Sequence, residues 1–339
     1  MMVAIDKHGK RFLATTCTKR QSLFCPACKE PVILKTGQQK TAHFAHKNLQ
    51  DCFGFSEKET TEHLQLKKYF FEWCRQFVTH PPVLEAYLPT LRQRPDILCG
   101  DLAIEIQCSV LAYERMKERT KGYLSKNYRV WWILGSAFFN NDRLKTREKY
   151  FCMYNDTMGT HLWKIDWLEK RLYLFCHLAE LFSGTVTYET ISWPFFSESP
   201  VSLLEKQMEN QNRQKVLTNV GCQKWLQKKL YYRQSKYVHL QKQFYLRKKH
   251  LLYLSPWMYA ESRFFFYFQE KVFFYRLLFE EIISEQAGRS QQWKYLNWLQ
   301  KIEPNKTTWL YPMVDKKKIF QLLYQECEEI FLMSYRNKL

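Results

Sequence analysis

The chain has 339 residues, is 46% hydrophobic and carries a formal net charge of +19 at pH 7. This length suits two or three domains of ordinary size, and the excess of Lys and Arg favours a polyanionic partner, with nucleic acid ahead of a lipid surface. No run approaches the roughly 18 apolar residues of a membrane helix and the first residues lack an apolar signal segment, so we expect a cytoplasmic protein without an integral membrane span.

Eleven cysteines occur in the chain. Their odd number and the lack of an export signal indicate reduced thiols rather than a disulfide framework. Six of them are predicted to be buried as small apolar side chains: Cys74, Cys99, Cys108, Cys152, Cys176 and Cys327. Others lie near the N-terminus with the spacing of a metal site.

Residues 1–55 are predicted to form an N-terminal zinc-ribbon-like segment, with strand-like runs at 2–5 and 31–35 and too little core to fold without a staple. Cys25 and Cys28 form a C-x2-C knuckle, in which two thiolates face one ion from a tight turn. Further candidate ligands follow at His43, His46 and Cys52. The spacing leaves open which histidine binds, and the competing interpretation is a chance cluster. Four protein ligands would make a Zn²⁺ ion structural, because no position remains for a reactive water.

Residues 56–197 are predicted to form an α/β domain. Apolar residues recur at helical spacing up to residue 77, which predicts a helix with one buried face. Three short apolar runs then predict a β-meander, with Gly100 and Asp101 in a tight turn. These runs occupy residues 83–88, 95–99 and 102–108.

A second, charged helix is predicted over residues 113–126, and the continuous apolar run at 128–135 suits a central strand buried on both faces. The predicted elements follow one another as helix, three strands, helix and strand, and together they form an αβββαβ core. Further strand-like runs would extend or flank the sheet: 161–167, 171–178 and 184–191. Beyond a boundary between Pro194 and Pro200, residues 198–339 hold few strand signals and two Gly, which favours an α-helical domain.

Acidic residues mark two strands of the meander. Asp96 opens the second strand, and alternation places Glu105 and Gln107 on one face of the third. A tight turn would bring Asp96 close to that pair, and converging carboxylates suit Mg²⁺ or Mn²⁺, which lowers the pKa of a bound water for attack on a phosphodiester. Glu62 on the first helix is a third candidate ligand. The competing interpretation is that these charges cap turns or face solvent, although a carboxylate on the apolar strand of Glu105 is costly without a partner.

Together these features resemble the competence protein CoiA family over residues 1 to about 195. The resemblance depends on the runs FCPACKEPVILKTG, HFAHK, SEKETTEHLQLKKYFFEW, LPTLRQRPDIL, AIEIQCS and ERMKERTKGY. It implies a PD-(D/E)xK nuclease-like fold with a zinc-finger-like N-terminal segment, and a link to recombination of imported DNA in natural transformation. It also places Asp96 and Glu105 at the acidic motif positions and Glu62 at the acidic position of the first helix.

The sequence departs from the nuclease pattern at Gln107, where that pattern has lysine. Glutamine orients water or a phosphate oxygen but brings no positive charge to the transition state. Arg115 and Arg119 are four residues apart on the next helix, so they share one face. They offer replacement cations and are predicted to contact nucleic acid. The alternative is that they only solvate the helix.

The strongest positive run lies between Asn210 and Ala260, where eleven Lys or Arg occur without any Asp or Glu. The cations predicted to contact nucleic acid here are Lys228, Lys229, Arg247, Lys248 and Lys249. Interleaved aromatic side chains would stack on unpaired bases or, at helical spacing, fill a core: Trp225, Tyr231, Tyr232, Tyr237, Phe244 and Tyr245. The run favours contact with a phosphate backbone, with anionic lipid as the lesser alternative.

We therefore expect a metal-dependent deoxyribonuclease of the PD-(D/E)xK kind, with Glu62, Asp96 and Glu105 holding the ion and Gln107 positioning water or phosphate. The alternative is a non-catalytic mediator that kept the nuclease scaffold, binds single-stranded DNA and passes it to recombination proteins of the competence machinery. Gln107 favours the mediator, whereas the carboxylates favour the enzyme. A restriction-type nuclease of phage or plasmid defence is a third interpretation, because fold does not fix function.

Overall fold

The computed structural model describes residues 1–18, 21–37, 40–46, 52, 59–77, 81–139, 144–206, 220–285, 288–303 and 307–336. The N-terminal segment forms a five-stranded antiparallel sheet in the order β2-β1-β3-β4-β5. Its strands are β1 (Val3–Ile5), β2 (Arg11–Leu13), β3 (Leu23–Phe24), β4 (Pro31–Gly37) and β5 (Lys40–His46). A small core of side chains including Ala4, Leu23, Val32 and Phe44 lies against this sheet.

A larger sheet of eight strands follows, in the order β13-β12-β11-β9-β8-β7-β6, with β10 paired to β11. Its strands are β6 (Val83–Leu84), β7 (Ile97–Cys99), β8 (Leu102–Gln107), β9 (Arg129–Leu134), β10 (Met153–Asn155), β11 (Gly159–Asp166), β12 (Arg171–Glu180) and β13 (Val186–Pro194). The pairs β8·β9 and β9·β11 are parallel, and the other pairs are antiparallel.

Helices surround this sheet and form most of the C-terminal half. They are α1 (Thr61–Phe77), α2 (Tyr113–Ser125), α3 (Thr146–Lys149), α4 (Pro200–Glu205), α5 (Val220–Tyr231), α6 (Ser235–Tyr245), α7 (Phe265–Phe268), α8 (Lys271–Glu285), α9 (Gln291–Ile302) and α10 (Lys316–Arg336). Within the described stretches, no helix combines the length and the apolar character needed to cross a membrane.

Side-chain alternation along β8 divides the core of the larger sheet in two. Ile104 and Ile106 pack in the core with α1, whereas Ala103 packs in the core with α2. The α1 core includes Leu66, Phe70 and Trp73. The α2 core continues into the C-terminal helices through Phe265, Phe273 and Trp298. Helices α1 and α2 therefore cover opposite faces of the sheet, and the C-terminal helices pack on the α2 side.

The order α1-β6-β7-β8-α2-β9 agrees with the predicted αβββαβ order, and the three further runs form β11, β12 and β13. Strand β6 is shorter than predicted because the chain turns at Glu85, whose φ of 50° lies in the left-handed region. The first three residues of the helix predicted from residue 56 lie outside the described residues. The described part of 198–339 contains helices and no strand. The domain boundaries themselves remain predictions.

Candidate functional site

The structure brings together four of the five predicted zinc ligands. The ligand atoms of Cys25, Cys28, His46 and Cys52 all lie within 4.8 Å of one another. Cys28 Sγ lies 3.3 Å from His46 Nε2, and Cys25 Sγ lies 3.9 Å from Cys52 Sγ. The knuckle is closed by the Lys29 amide, which donates to the carbonyl of Cys25 at 3.0 Å. Three thiols and one imidazole in a single shell fit a structural Zn²⁺ site.

His43 lies outside this cluster because it is three residues from His46 on β5, and an odd separation along a strand places two side chains on opposite faces. The Nδ1 atom of His43 lies 2.8 Å from the carbonyl oxygen of Thr41. Burial lowers the pKa of His46, which favours the neutral imidazole that binds metal ions. Burial also raises the pKa of Cys25 to about 12, so a thiolate there needs a nearby cation.

Asp96 lies just before β7 and directs its carboxylate towards α1. Its Oδ2 lies 2.9 Å from His63 Nε2 and accepts a hydrogen bond from the Ile106 amide at 2.8 Å, while Oδ1 lies 3.4 Å from Lys67 Nζ. Burial would raise the pKa of Asp96, but the charges of His63 and Lys67 outweigh it and hold the pKa below its usual range. Asp96 is therefore an ionised carboxylate with its own protein partners.

Glu105 lies on β8, which pairs with β7, yet its carboxylate turns towards α2. Its Oε1 accepts hydrogen bonds from the Arg119 guanidinium and from the Tyr123 hydroxyl. The Arg119 guanidinium also lies 5.5 Å over the Trp132 ring and donates to the carbonyl of Arg94 at 3.3 Å. Donors from α2 thus compensate for the burial of this carboxylate.

Glu62 caps a turn instead of facing the other two carboxylates. Its Oε1 accepts a hydrogen bond at 2.9 Å from the amide of Ser136, which begins a short 3₁₀ helix after β9. Across the described stretches, Glu62, Asp96 and Glu105 do not form a group whose ligand atoms all lie within 4.8 Å of one another. Each carboxylate has a protein partner on a different element, and a catalytic Mg²⁺ or Mn²⁺ ion held by Glu62, Asp96 and Glu105 stays a prediction.

A buried lysine lies beside Asp96. Lys67 of α1 is fully buried, and its ammonium group forms ion pairs with Glu59, Glu85 and Asp96. Burial would lower the pKa of Lys67, but these carboxylates raise it above its usual range. Arg94 adds a second cation, with Nη1 at 2.7 Å from Glu85 Oε2. Cations of the chain itself therefore neutralise three carboxylates on this side of the sheet: Glu59, Glu85 and Asp96.

The same network joins the two sheets. Glu85 Oε2 accepts hydrogen bonds from the backbone amides of Met2 at 2.9 Å and Val3 at 3.1 Å. The carboxylate of Glu85 has no exposed surface. The N-terminal sheet is therefore attached to the larger domain through a buried and charged contact.

Gln107 and the two arginines of α2 have separate roles. Gln107 Nε2 donates to the carbonyl of Ser109 at 2.8 Å, at the end of β8. Arg119 points inward to Glu105, whereas Arg115 pairs at 2.9 Å with Glu118, which is largely exposed. Of the two arginines, Arg119 thus approaches the acidic positions and Arg115 lies at the helix surface.

The other five cations predicted to contact nucleic acid lie on α5 or just after α6. Four of them are exposed to solvent: Lys228, Arg247, Lys248 and Lys249. Lys229 Nζ lies 5.4 Å from the centroid of the Trp225 ring, and Arg247 Nε lies 3.4 Å from Glu281 Oε1. The exposed lysines leave a positive surface on this part of the protein.

The interleaved aromatic residues divide into two kinds. Tyr237 and Phe244 are buried and Trp225 packs against the same core, as expected for aromatic residues at helical spacing. The exposed fractions of the others are 80% for Tyr231, 71% for Tyr232 and 58% for Tyr245. Large exposed rings of this kind are available to a ligand.

One group of exposed rings stands beside exposed lysines. The ring of His250 lies 5.5 Å from that of Tyr245 and 4.8 Å from that of Tyr253, which is 81% exposed. Lys248 and Lys249 lie in the turn between these rings and are exposed. We call Tyr245, Lys248, Lys249, His250 and Tyr253 the α6-end patch.

Sequence reasoning missed three residues of these buried networks: Lys67, Glu85 and Tyr123. A partial signal existed for Tyr123, because Arg119 and Tyr123 are four residues apart and share a helix face. The positions of Lys67 and Glu85 depend on how α1 packs against the turn after β6, which no local pattern encodes.

Comparison with known proteins gives separate family matches for the N-terminal segment and for the domain that follows it. The family description "Competence protein CoiA, N-terminal domain" matches residues 6–55, and "Competence protein CoiA, nuclease-like domain" matches residues 59–209. The chain is also similar to "Competence protein CoiA" of Bacillus subtilis (strain 168), with 36% identity over 121 residues. That match covers 34% of this chain and 32% of the relative, so the chain spans about a third of the relative's length. No solved structure matches the chain.

Proposed function

The chain belongs to the competence protein CoiA family, and from this premise we propose that it is a mediator that binds single-stranded DNA during natural transformation. It would hold imported strands on its basic and aromatic surface and present them to recombination proteins. The nuclease-like domain would serve as a scaffold and not as a hydrolase.

The α6-end patch is the observation that carries this proposal. Exposed tyrosine rings beside exposed lysines combine the two contacts that unpaired DNA offers, a base face and a phosphate. Each stacked base contributes roughly 1 to 3 kcal/mol. Paired bases are already stacked inside a duplex, so this combination favours single strands.

The acidic positions support a scaffold role. Asp96 is engaged by Lys67 and His63, and Glu105 is engaged by Arg119 and Tyr123 on the other side of the sheet. A hydrolytic site would need these carboxylates to converge on one cation. Here they stabilise α1 and α2 against the strands, and Gln107 adds no positive charge.

The test compares the affinity of the protein for labelled single- and double-stranded oligonucleotides of one sequence. Fluorescence anisotropy measures both affinities over a range of salt concentrations. We expect tighter binding to the single strand, with an affinity that falls as salt rises because phosphate contacts release counterions. Preference for the duplex, or the absence of binding to either oligonucleotide, would overturn the proposal.

A metal-dependent deoxyribonuclease is the second candidate function. The nuclease-like family match over residues 59–209 favours it, since this range includes Glu62, Asp96 and Glu105. The test is DNA cleavage in the presence of Mg²⁺ or Mn²⁺. This candidate requires the three carboxylates to leave the partners described above before they converge.

A further inference from the structure

A second group of potential metal ligands lies at the edge of the larger sheet, away from the residues discussed so far. Cys176 and His177 are consecutive on β12, and Glu189 is the register partner of Cys176 on the edge strand β13. The sulfur, a ring nitrogen and a carboxylate oxygen of these residues lie within 4.8 Å of one another. Three different donor types therefore meet at one point.

The backbone of β12 is altered at this point. Consecutive strand residues normally point to opposite faces, so Cys176 and His177 would not share a site on a regular strand. The pairing register shifts between Cys176 and Ala179, and His177 has a φ of 52°, in the left-handed region. A β-bulge of this kind re-aims a side chain. The left-handed conformation costs roughly 1 to 2 kcal/mol for a residue with a Cβ atom.

The neighbouring strand makes room for the imidazole. Gly159 begins β11 with a φ of 61°, and a Cβ atom at this position would lie 3.3 Å from Nδ1 of His177. The His177 amide donates to the carbonyl of Met158 at 2.9 Å, which fixes the bulge against this turn. The position of the His177 ring is therefore set by the fold.

The cluster faces a pocket of about 440 Å³ between the sheet and the C-terminal helices. His177 and Glu189 line this pocket, as do Arg263 and Phe264 from the helical region. Cys176 is fully buried behind them. An ion at the cluster would therefore have protein on the strand side and an open side towards the pocket.

We infer that Cys176, His177 and Glu189 form a second transition-metal site, with Zn²⁺ or Co²⁺ as the expected ion. A thiolate and an imidazole select such ions over Mg²⁺, which prefers oxygen ligands. Tetrahedral coordination at the usual zinc bond lengths places neighbouring ligand atoms about 3.3 to 3.8 Å apart, so small side-chain movements close the present cluster around an ion. Three protein ligands leave a fourth position open to the pocket, unlike the closed set at Cys25, Cys28, His46 and Cys52.

The experiment counts metal ions on the full-length protein. Wild type and variants are equilibrated with zinc sulfate, passed through gel filtration and analysed for zinc by mass spectrometry, with folding checked by circular dichroism. The ligand variants are His177→Gln and Glu189→Gln, and the matched control is His239→Gln, an exposed histidine on α6. Cys28→Ser reports separately on the N-terminal cluster.

We expect two zinc ions per chain in wild type and in the His239→Gln control, and one in each ligand variant and in Cys28→Ser. Cobalt should give the same pattern by absorption of the thiolate-to-metal band. If His177→Gln does not fold, the zinc content of Glu189→Gln tests the inference by itself. This variant should fold, because the glutamine side chain keeps the shape of glutamate. Retention of the full zinc content by folded Glu189→Gln, or a wild type whose only zinc ion is lost in Cys28→Ser, would overturn the inference.

Discussion

The Nζ atom of Lys67 lies 2.5 Å from Oε1 of Glu85, and neither side chain has any exposed surface. This contact joins α1 to the turn after β6. Asp96 shares the same ammonium group. The chain thus provides an internal cation for its buried acidic residues Glu59, Glu85 and Asp96.

Removal of this cation should destabilise the fold strongly. Lys67→Met leaves Glu59, Glu85 and Asp96 buried beside an apolar side chain, and loss of one partner of a buried ion pair costs roughly 3 to 5 kcal/mol. Urea denaturation measures the free energy of unfolding. Lys68→Met, at the exposed neighbouring position, is the matched control and should change it by less than about 0.5 kcal/mol. Equal stability of the two variants would contradict the structural role of Lys67.

Acid should weaken the same network. Burial would raise the pKa of Glu85, but Arg94 and Lys67 outweigh it and lower the pKa from 4.5 to about 2. A lowered pKa in the folded state means that the stabilisation is complete above pH 4.5 and is lost as the pH falls towards 2. The stability difference between wild type and Glu85→Gln should therefore shrink over this range, as followed by urea denaturation at several pH values. A difference that is independent of pH would refute the assignment.

Zinc content should distinguish the two histidines of β5. Replacement of His46 by Asn removes one ligand of the N-terminal cluster and should lower the bound zinc by one ion per chain, with loss of structure in this small segment. His43→Asn should keep the wild-type zinc content, because His43 lies on the opposite face of the strand. Zinc analysis after gel filtration makes the comparison. The reverse result would show that His43 is the ligand.

Stacking on the α6-end patch should account for part of the DNA affinity. Tyr245→Ala and Tyr253→Ala should each weaken single-strand binding by about 5-fold to 150-fold, which corresponds to roughly 1 to 3 kcal/mol for a stacked base. Tyr188→Ala, at a tyrosine that is 48% exposed on β13, is the control. Anisotropy titrations with a labelled single strand give the affinities. A similar loss in all three variants would point to a nonspecific effect.

The lysines of the patch should appear in the salt dependence. Replacement of both Lys248 and Lys249 by Gln should reduce the slope of log affinity against log salt by about 1.4, since each phosphate contact on a single strand contributes roughly 0.7. The exposed pair Lys126 and Lys206 provides a double Gln variant of equal charge. An unchanged slope in the first variant would remove these lysines from the DNA-binding surface.

The sequence predicted those features that depend on local spacing. The C-x2-C knuckle and the element order from α1 to β9 follow from turn residues and apolar periodicity. The spacing left open which of His43 and His46 belongs to the cluster, because that depends on which face of β5 is turned towards the knuckle. Local spacing could not predict that the carboxylates of Asp96 and Glu105 turn to opposite faces of the larger sheet. That outcome depends on Lys67 and Arg119, which come from helices whose packing against the sheet is a tertiary property. Helical spacing likewise could not separate buried Tyr237 from exposed Tyr245.

We propose that this protein holds single-stranded DNA without hydrolysing it, and one experiment measures both properties. Labelled single- and double-stranded DNA should be incubated with Mg²⁺ or Mn²⁺ and wild type, Asp96→Asn or Glu105→Gln, and both binding and cleavage should be measured. Folding of both variants is checked first. We predict that wild type and the folded variants bind the single strand equally and that none of them cleaves DNA. Cleavage by wild type that is absent in both variants would contradict the claim and establish the nuclease.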